Sequence, residues 1–167
     1  MLKGSENINI FILDNDMTKN AEYHCDKHVV KMITEQNQLL CSVYYFTENI
    51  PDGIYKLTHK NHPCAIWVRQ SLSNWIWLRD MTLALCEEYT YRYNKVHKGE
   101  LLCRALQMPY IEDIGLTEFV QCMPDEYKHN DVLEAYREYY NKDKQHIFSW
   151  KFRNVPEWVN SNIGELK

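Results

Sequence analysis

Four polar side chains at helical spacing are the residues of this sequence best suited to chemistry. His24 and His28 are four positions apart, and Lys31 and Glu35 continue the same pattern. At about 100° per residue the four fall within roughly 60° of one another, beside the apolar stripe of the same segment. Imidazoles titrate near neutral pH, so the pattern predicts that His24 and His28 transfer protons. Glu35 is then expected to be their carboxylate partner, and Lys31 is expected to bind an anionic substrate.

Two other interpretations of this pattern stay open. Histidines at i and i+4 are suited to Zn or Fe, so a divalent metal at His24 and His28 is one alternative, with a third ligand from another element. Glu87, Glu88 and His62 are the residues that would supply that ligand. The other alternative is a solvated helix edge with ordinary contacts between neighbouring side chains. Outside the metal alternative, no cofactor is expected.

A second cluster of polar residues precedes the next helical segment. His59, Lys60 and His62 lead into Pro63, a residue that favours the first turn of a helix. Because a helix N terminus carries free N–H groups and a positive dipole end, we expect an anion to bind there, with His62 and Arg69 as contacts. A capped helix start with solvated cations is the alternative. The sequence contains no glycine-rich phosphate loop, no G-x-S-x-G motif and no H-E-x-x-H motif.

The C-terminal part interleaves cations with aromatic rings, at residues 142–146 and 150–153. Such a segment can contact phosphates while its rings stack on bases, and an aromatic tail docked on the core is the alternative. The formal net charge is −4, from 19 Lys and Arg against 23 Asp and Glu, whereas proteins that bind duplexes usually carry a positive excess. We therefore expect that a nucleotide or nucleic-acid partner is bound through a local patch.

The elements that must position these side chains are mainly helices. The chain of 167 residues has 12 Tyr, 5 Trp and 5 Phe but only 5 Gly and 5 Pro, which favours helices over a many-stranded sheet. Residues 7–13 alternate and then run apolar, as in a strand or in an extended segment laid against helices. We expect one mainly α domain over residues 1–167, with two long helices and this short N-terminal extended segment. Hydrophobic periodicity and end signals predict helices over residues 18–46, 63–94, 99–107 and 131–150.

The lengths of the apolar runs and the spacing of the cysteines indicate in which cellular compartment the protein is expected. No apolar run approaches the roughly 18 residues that a membrane span needs, and the first residues have no signal-peptide core. The six cysteines are dispersed, without a C-x-x-C pair. We therefore expect a cytoplasmic protein with reduced cysteines and without a membrane partner, a disulfide scaffold or a Cys-rich structural zinc site. The oligomeric state stays open.

Three features of the sequence resemble a known enzyme family. They are the stretch Ala21-Glu22-Tyr23 followed by His24 and His28, a long second helix that opens near His62-Pro63 and carries Arg69 and Arg79, and a Trp/Tyr-rich C-terminal end. In these features the chain resembles the bacteriophage pyrimidine-dimer DNA glycosylases, and it is similar in general to phage-type proteins. The resemblance implies a single-domain, all-helical, cofactor-free enzyme. That enzyme would attack the sugar C1′ with its N-terminal α-amine and use a glutamate shortly after the matching tyrosine.

The sequence departs from that family at both catalytic positions. The bulky Leu2 predicts that Met1 is retained, and Cys25 stands where the glutamate is expected, with Asp26 next to it. We therefore expect a small helical enzyme that acts on nucleotides or DNA, with a glycosylase-like fold and a mechanism other than the N-terminal amine one. A non-catalytic interaction module with exposed Tyr and Trp side chains is the remaining alternative.

Overall fold

The structure, a computed structural model, describes residues 8–160 and is all helical in this range. This confirms the predicted fold class, and the two long helices lie in the second and fourth positions. The α-helices are α1 (Met17–Tyr23), α2 (Asp26–Tyr44), α3 (Pro63–Gln70), α4 (Leu72–Tyr93), α5 (Glu100–Ala105) and α6 (Val132–Asp143). Two short 3₁₀ helices span Asp125–Tyr127 and Gln145–Ile147. None of the helices in the described range is both long and apolar enough to cross a membrane.

The N-terminal segment is extended and buried, but residues 8–13 do not form a strand. The interpretation of residues 7–13 as a strand is therefore wrong for this range, and residue 7 lies outside the described residues. The segment is laid against helices instead, and side chains satisfy part of its backbone. Asn20 of α1 accepts a hydrogen bond from the Leu13 N–H at 2.9 Å and donates one to the Phe11 carbonyl at 3.2 Å. An asparagine thus replaces the neighbouring strand that a sheet would need.

The predicted helix over residues 18–46 is two helices, because the chain is extended at His24 and Cys25. The cause is Asp26, the first residue of α2. Its N–H donates to the Ser149 carbonyl at 2.8 Å, and its carboxylate forms an ion pair with Arg92 at 3.0 Å. These contacts with distant parts of the chain turn α2 away from the axis of α1. The predicted i, i+4 geometry of His24 and His28 on one helix is therefore lost.

The predicted helix over residues 63–94 is likewise divided, at Ser71. Ser71 has an extended backbone, and its hydroxyl donates to the Asp113 carboxylate at 3.0 Å. The following N–H, of Leu72, donates to the Glu112 carbonyl at 2.9 Å. Hydrogen bonds from Ser73, the Gly115 N–H and Ser71 lower the pKa of Asp113 to about 2. The break therefore anchors the irregular segment between α5 and α6.

Helix α4 has apolar residues on two faces and is central, since it contacts α1, α2, α3 and α5. The high aromatic content is largely accounted for by the core around α4. Trp67, Trp75 and Trp150 are buried, and the other two tryptophans pack against the same core. The last two predicted helices are shorter than expected, since α5 spans Glu100–Ala105 and α6 ends at Asp143. Residues 142–146 thus form the end of α6 and a 3₁₀ turn, close to α2.

Candidate functional site

His24 lies in the protein interior at the junction of α1 and α2. It is 0% exposed, and its Nδ1 donates to the Asn20 carbonyl at 2.6 Å, which leaves Nε2 as a buried atom without a hydrogen-bond partner in residues 8–160. Burial lowers the pKa of His24 to about 4, so the ring is neutral at pH 7. Its edge faces Phe11, with ring centroids 6.2 Å apart. The ring thus packs against Phe11 in the interior, and neither of its nitrogens contacts solvent.

His28 lies on the first turn of α2, where its ring stacks on Phe11 at a centroid distance of 4.5 Å. Its Nδ1 forms a 2.6 Å hydrogen bond with the hydroxyl of Tyr140 on α6. Burial lowers the pKa of His28 well below its usual range, and the nearby His24 and the Lys144 and Lys31 cations lower it further. As a whole residue His28 is 4% exposed, whereas His24 is 0% exposed. With Nδ1 held by Tyr140, Nε2 is the ring atom that remains for proton transfer.

Glu35 follows His28 by seven residues and faces the same side of α2, about 10 Å along the helix axis. Its side chain is 12% exposed, Lys31 reaches one carboxylate oxygen at 3.4 Å, and Oε2 has no partner among the described residues. Burial raises the pKa of Glu35, while Lys31, the Asn9 N–H and Lys144 oppose this change. A buried carboxylate with a raised pKa beside cations is the kind of group that active sites use.

Lys144, just after α6, completes this arrangement. Its ammonium lies 4.9 Å from the Tyr139 ring centroid, and burial, followed by the charge of Lys31, lowers its pKa. We name the set His28, Lys31, Glu35, Tyr140 and Lys144 the α2–α6 site. The sequence pattern predicted the three residues on α2 as candidates, and its C-terminal basic cluster contained Lys144. It missed Tyr140, because only the packing of α6 on α2 brings that hydroxyl to His28.

The two predicted anion contacts on α3 lie elsewhere. His62 caps α3 by accepting a hydrogen bond from the Cys64 N–H at 3.0 Å. Arg69 donates to the Lys60 carbonyl at 2.7 Å and stacks on Phe46, beyond the C-terminal end of α2, at 4.1 Å. Arg69 is therefore far along α2 from His28, and the structure does not bring these residues into one site.

The two glutamates considered as third metal ligands for His24 and His28 have other surroundings. Glu88 forms ion pairs with Arg92 at 2.7 Å and with Arg153 at 2.9 Å, and Glu87 is exposed on α4. In residues 8–160 the group with metal-ligand spacing is a different one, His62 with Cys64 and Cys122, whose ligand atoms lie within 4.8 Å of one another. The two sulfurs are 3.5 Å apart, and their hydrogen bond lowers the pKa of Cys122 and raises that of Cys64.

Comparison with known protein families assigns the chain to one of them. A family model described as pyrimidine dimer DNA glycosylase matches residues 8–100. The chain belongs to this family. No curated protein and no solved structure is similar enough to the chain to count as a match. The family match confirms the resemblance noted in the sequence, and membership points to a DNA glycosylase-like function and to nucleic acid as the partner class.

The family segment contains α2 with His28, Lys31 and Glu35, but α6 lies outside it. At the position where the resemblance implies a catalytic glutamate, Cys25 is fully buried, and burial raises the pKa of its thiol. The adjacent Asp26 is held by Arg92 and by the Lys151 N–H at 2.9 Å. Both side chains therefore have structural contacts in this chain. Met1 and Leu2, on which the expectation about the N-terminal amine rests, lie outside the described residues.

Proposed function

We propose that this chain is a DNA glycosylase-type enzyme that acts on pyrimidine dimers through the α2–α6 site. The observation that carries the proposal is Glu35, a buried carboxylate with a raised pKa, flanked by Lys31 and Lys144 on a helix within the family segment. Cleavage of a glycosidic bond develops positive charge at the sugar C1′, and a carboxylate in a low-dielectric setting stabilises such charge. Glu35 is the residue of this site that can supply it.

The other members of the α2–α6 site have matching roles in this proposal. The lowered pKa of His28 keeps its ring neutral at pH 7, so its Nε2 can accept a proton from the water that attacks C1′. The oxygen of that water forms the new bond to C1′, and the electron pair of the broken C1′–N bond leaves with the pyrimidine. The hydroxyl of Tyr140 fixes the ring through Nδ1. Lys31 and Lys144 contact the phosphates on either side of the damaged nucleotide. These two lysines give the local positive patch that a chain of net charge −4 needs.

His24 has a supporting role in this proposal, in place of the proton transfer expected from the sequence. Its buried ring packs against the edge of Phe11, and Phe11 in turn stacks on His28. Arg69 and His62 are not among the proposed phosphate contacts, because they lie with α3. The six free cysteines suit a reducing compartment, and we propose a cytoplasmic location on that basis.

The experiment is an assay of glycosidic-bond cleavage at a dimer in duplex DNA. A duplex with one cyclobutane pyrimidine dimer and the same undamaged duplex are incubated with excess protein. The abasic site that cleavage leaves is converted to a strand break with hot alkali and resolved on a denaturing gel, because the cleaved pyrimidine stays attached to its neighbour through the cyclobutane ring. We expect cleavage at the dimer, and we expect His28→Gln to slow it on the order of 100-fold, since one positioned proton-transfer group contributes about that much. His129→Gln, at an exposed histidine between the 3₁₀ helix and α6, is the matched control and keeps full activity. Absence of cleavage with equimolar wild-type protein would overturn the proposed substrate.

A further inference from the structure

Two cysteines and a histidine from separate parts of the chain meet at the N terminus of α3. His62 is the N-cap of this helix and Cys64 lies in its first turn, whereas Cys122 belongs to the irregular segment between α5 and α6. The three ligand atoms lie within 4.8 Å of one another, and the two sulfurs are 3.5 Å apart. We propose that His62, Cys64 and Cys122 bind one zinc ion, with water in the fourth position.

The observed spacing is close to that of a tetrahedral site. Zn–S bonds of about 2.3 Å place two coordinating sulfurs roughly 3.8 Å apart, and a Zn–N bond of about 2.0 Å places nitrogen roughly 3.5 Å from each sulfur. The Sγ–Sγ distance of 3.5 Å differs from that value by a few tenths of an ångström. A shift of about 1 Å in the more distant ligand atom closes the triangle around an ion. Two thiolates and an imidazole form a donor set that prefers Zn over Mg or Ca.

Each ligand is positioned by its own backbone rather than by a flexible arm. The Cys122 N–H donates to the Tyr136 hydroxyl at 3.2 Å, and its carbonyl accepts from the Asn9 amide at 2.6 Å. The ring of His62 is oriented by the hydrogen bond that its Nδ1 accepts from the Cys64 N–H at 3.0 Å. Coordination through Nε2 would keep this bond, whereas coordination through Nδ1 would replace it. The site is therefore largely preformed, which reduces the ordering cost of binding.

The site has an entry path and a mechanical consequence. Cys64 is fully buried, but His62 and Cys122 are partly exposed, so an ion can approach from their side. Bound zinc would join α3 to residue 122, which lies 58 positions away in a segment without regular structure. Such a link stabilises the folded chain, because the unfolded chain cannot hold the three ligands together. This inference does not depend on the proposed DNA chemistry.

The test uses cobalt as a spectroscopic substitute for zinc on the full, reduced chain. Untagged protein is treated with a chelator and a non-thiol reductant and then titrated with Co²⁺, and Zn²⁺ affinity is measured by competition. We expect one metal per chain, a thiolate-to-cobalt charge-transfer band and the visible bands of a tetrahedral site. Cys122→Ser and His62→Gln should each weaken Zn²⁺ binding on the order of 100-fold or more, since even changes in groups that only orient a ligand cost up to about that factor. Cys103→Ser, at another buried cysteine, is the control and binds as wild type does.

Two results would overturn the proposal. One is a reduced, folded wild-type protein that gives no charge-transfer band. The other is a band that Cys122→Ser and His62→Gln leave unchanged, since the metal would then be bound elsewhere. Positions 62 and 122 are partly exposed, and circular dichroism verifies that the two variants are folded. Mass spectrometry of air-oxidised protein would detect a Cys64–Cys122 disulfide as the loss of two hydrogens. If this disulfide forms and the reduced protein gives no charge-transfer band, the two cysteines are a redox pair and not part of a zinc site.

Discussion

Replacement of His24 by glutamine should make the protein less sensitive to acid. In the folded chain burial lowers the pKa of His24 to about 4, whereas the same side chain titrates near 6.5 once the chain unfolds. Between these values the unfolded state binds a proton that the folded state does not, so stability falls as the pH falls from about 6.5 to about 4. Above 6.5 both states are neutral and His24 adds no slope. The full effect of this shift is about 3 kcal/mol, of which about 2 kcal/mol is lost by pH 5.

The measurement is urea unfolding followed by tryptophan fluorescence at pH 7.5, 6 and 5. Wild type and His24→Gln both retain His28. Because the nearby His24 lowers the pKa of His28, its replacement also relieves that effect, which reduces the acid sensitivity in the same direction. We expect the variant to be the less stable protein at pH 7.5, because its packing beside Phe11 is changed, and to recover about 2 kcal/mol relative to wild type by pH 5. Asn130→Gln, which is at an exposed position and removes no titratable group, should follow the wild-type slope. An identical pH slope for wild type and His24→Gln would refute the buried, neutral state of His24.

Three further predictions concern the core network, the phosphate contacts and the mechanism. Arg92→Met leaves the buried Glu88 carboxylate with fewer partners and should lower the free energy of unfolding, measured by urea titration, by about 3–5 kcal/mol. A smaller loss would mean that the ion pairs of Arg92 are dispensable for stability. Lys144→Met should weaken DNA binding and lower the slope of log K against log salt by about 1, with an unchanged slope excluding a phosphate contact. A Gly-Ser extension ahead of Met1 should leave dimer cleavage unchanged, since Glu35 carries the chemistry in our proposal; loss of activity would restore the amine mechanism.

The sequence predicted the helical class because its signals are local. The apolar stripe of α2, the two apolar faces of α4 and Pro63 at the start of α3 are all visible within one or two turns. The breaks at residues 24–25 and at Ser71 were missed, since their causes are distant. Asp26 is drawn to Arg92 and Ser149, and no periodicity within residues 18–46 contains that information.

The same distinction applies to the site. His28, Lys31 and Glu35 could be predicted to share a face, because that follows from helical spacing alone. Their environment could not, since the burial of Glu35 and the hydrogen bond between His28 and Tyr140, 112 residues away, depend on parts of the chain outside this helix. The group of His62 with Cys64 and Cys122 was also missed. Two of its members, His62 and Cys64, are separated by one residue, but the third is remote in the sequence. Dispersed cysteines are also typical of core thiols, so the sequence pattern gave no reason to group them.

The measurement that tests the central claim most directly is the single-turnover rate of Glu35→Gln on the dimer-containing duplex. The amide retains the shape of the side chain but cannot carry the negative charge that stabilises the developing charge at C1′. Glu87→Gln, at an exposed glutamate on α4, is the matched control. We predict that Glu35→Gln binds the duplex as tightly as wild type and cleaves it on the order of 100- to 1,000-fold more slowly, while the control is unaffected. Cleavage by Glu35→Gln at the wild-type rate would contradict the assignment of the α2–α6 site.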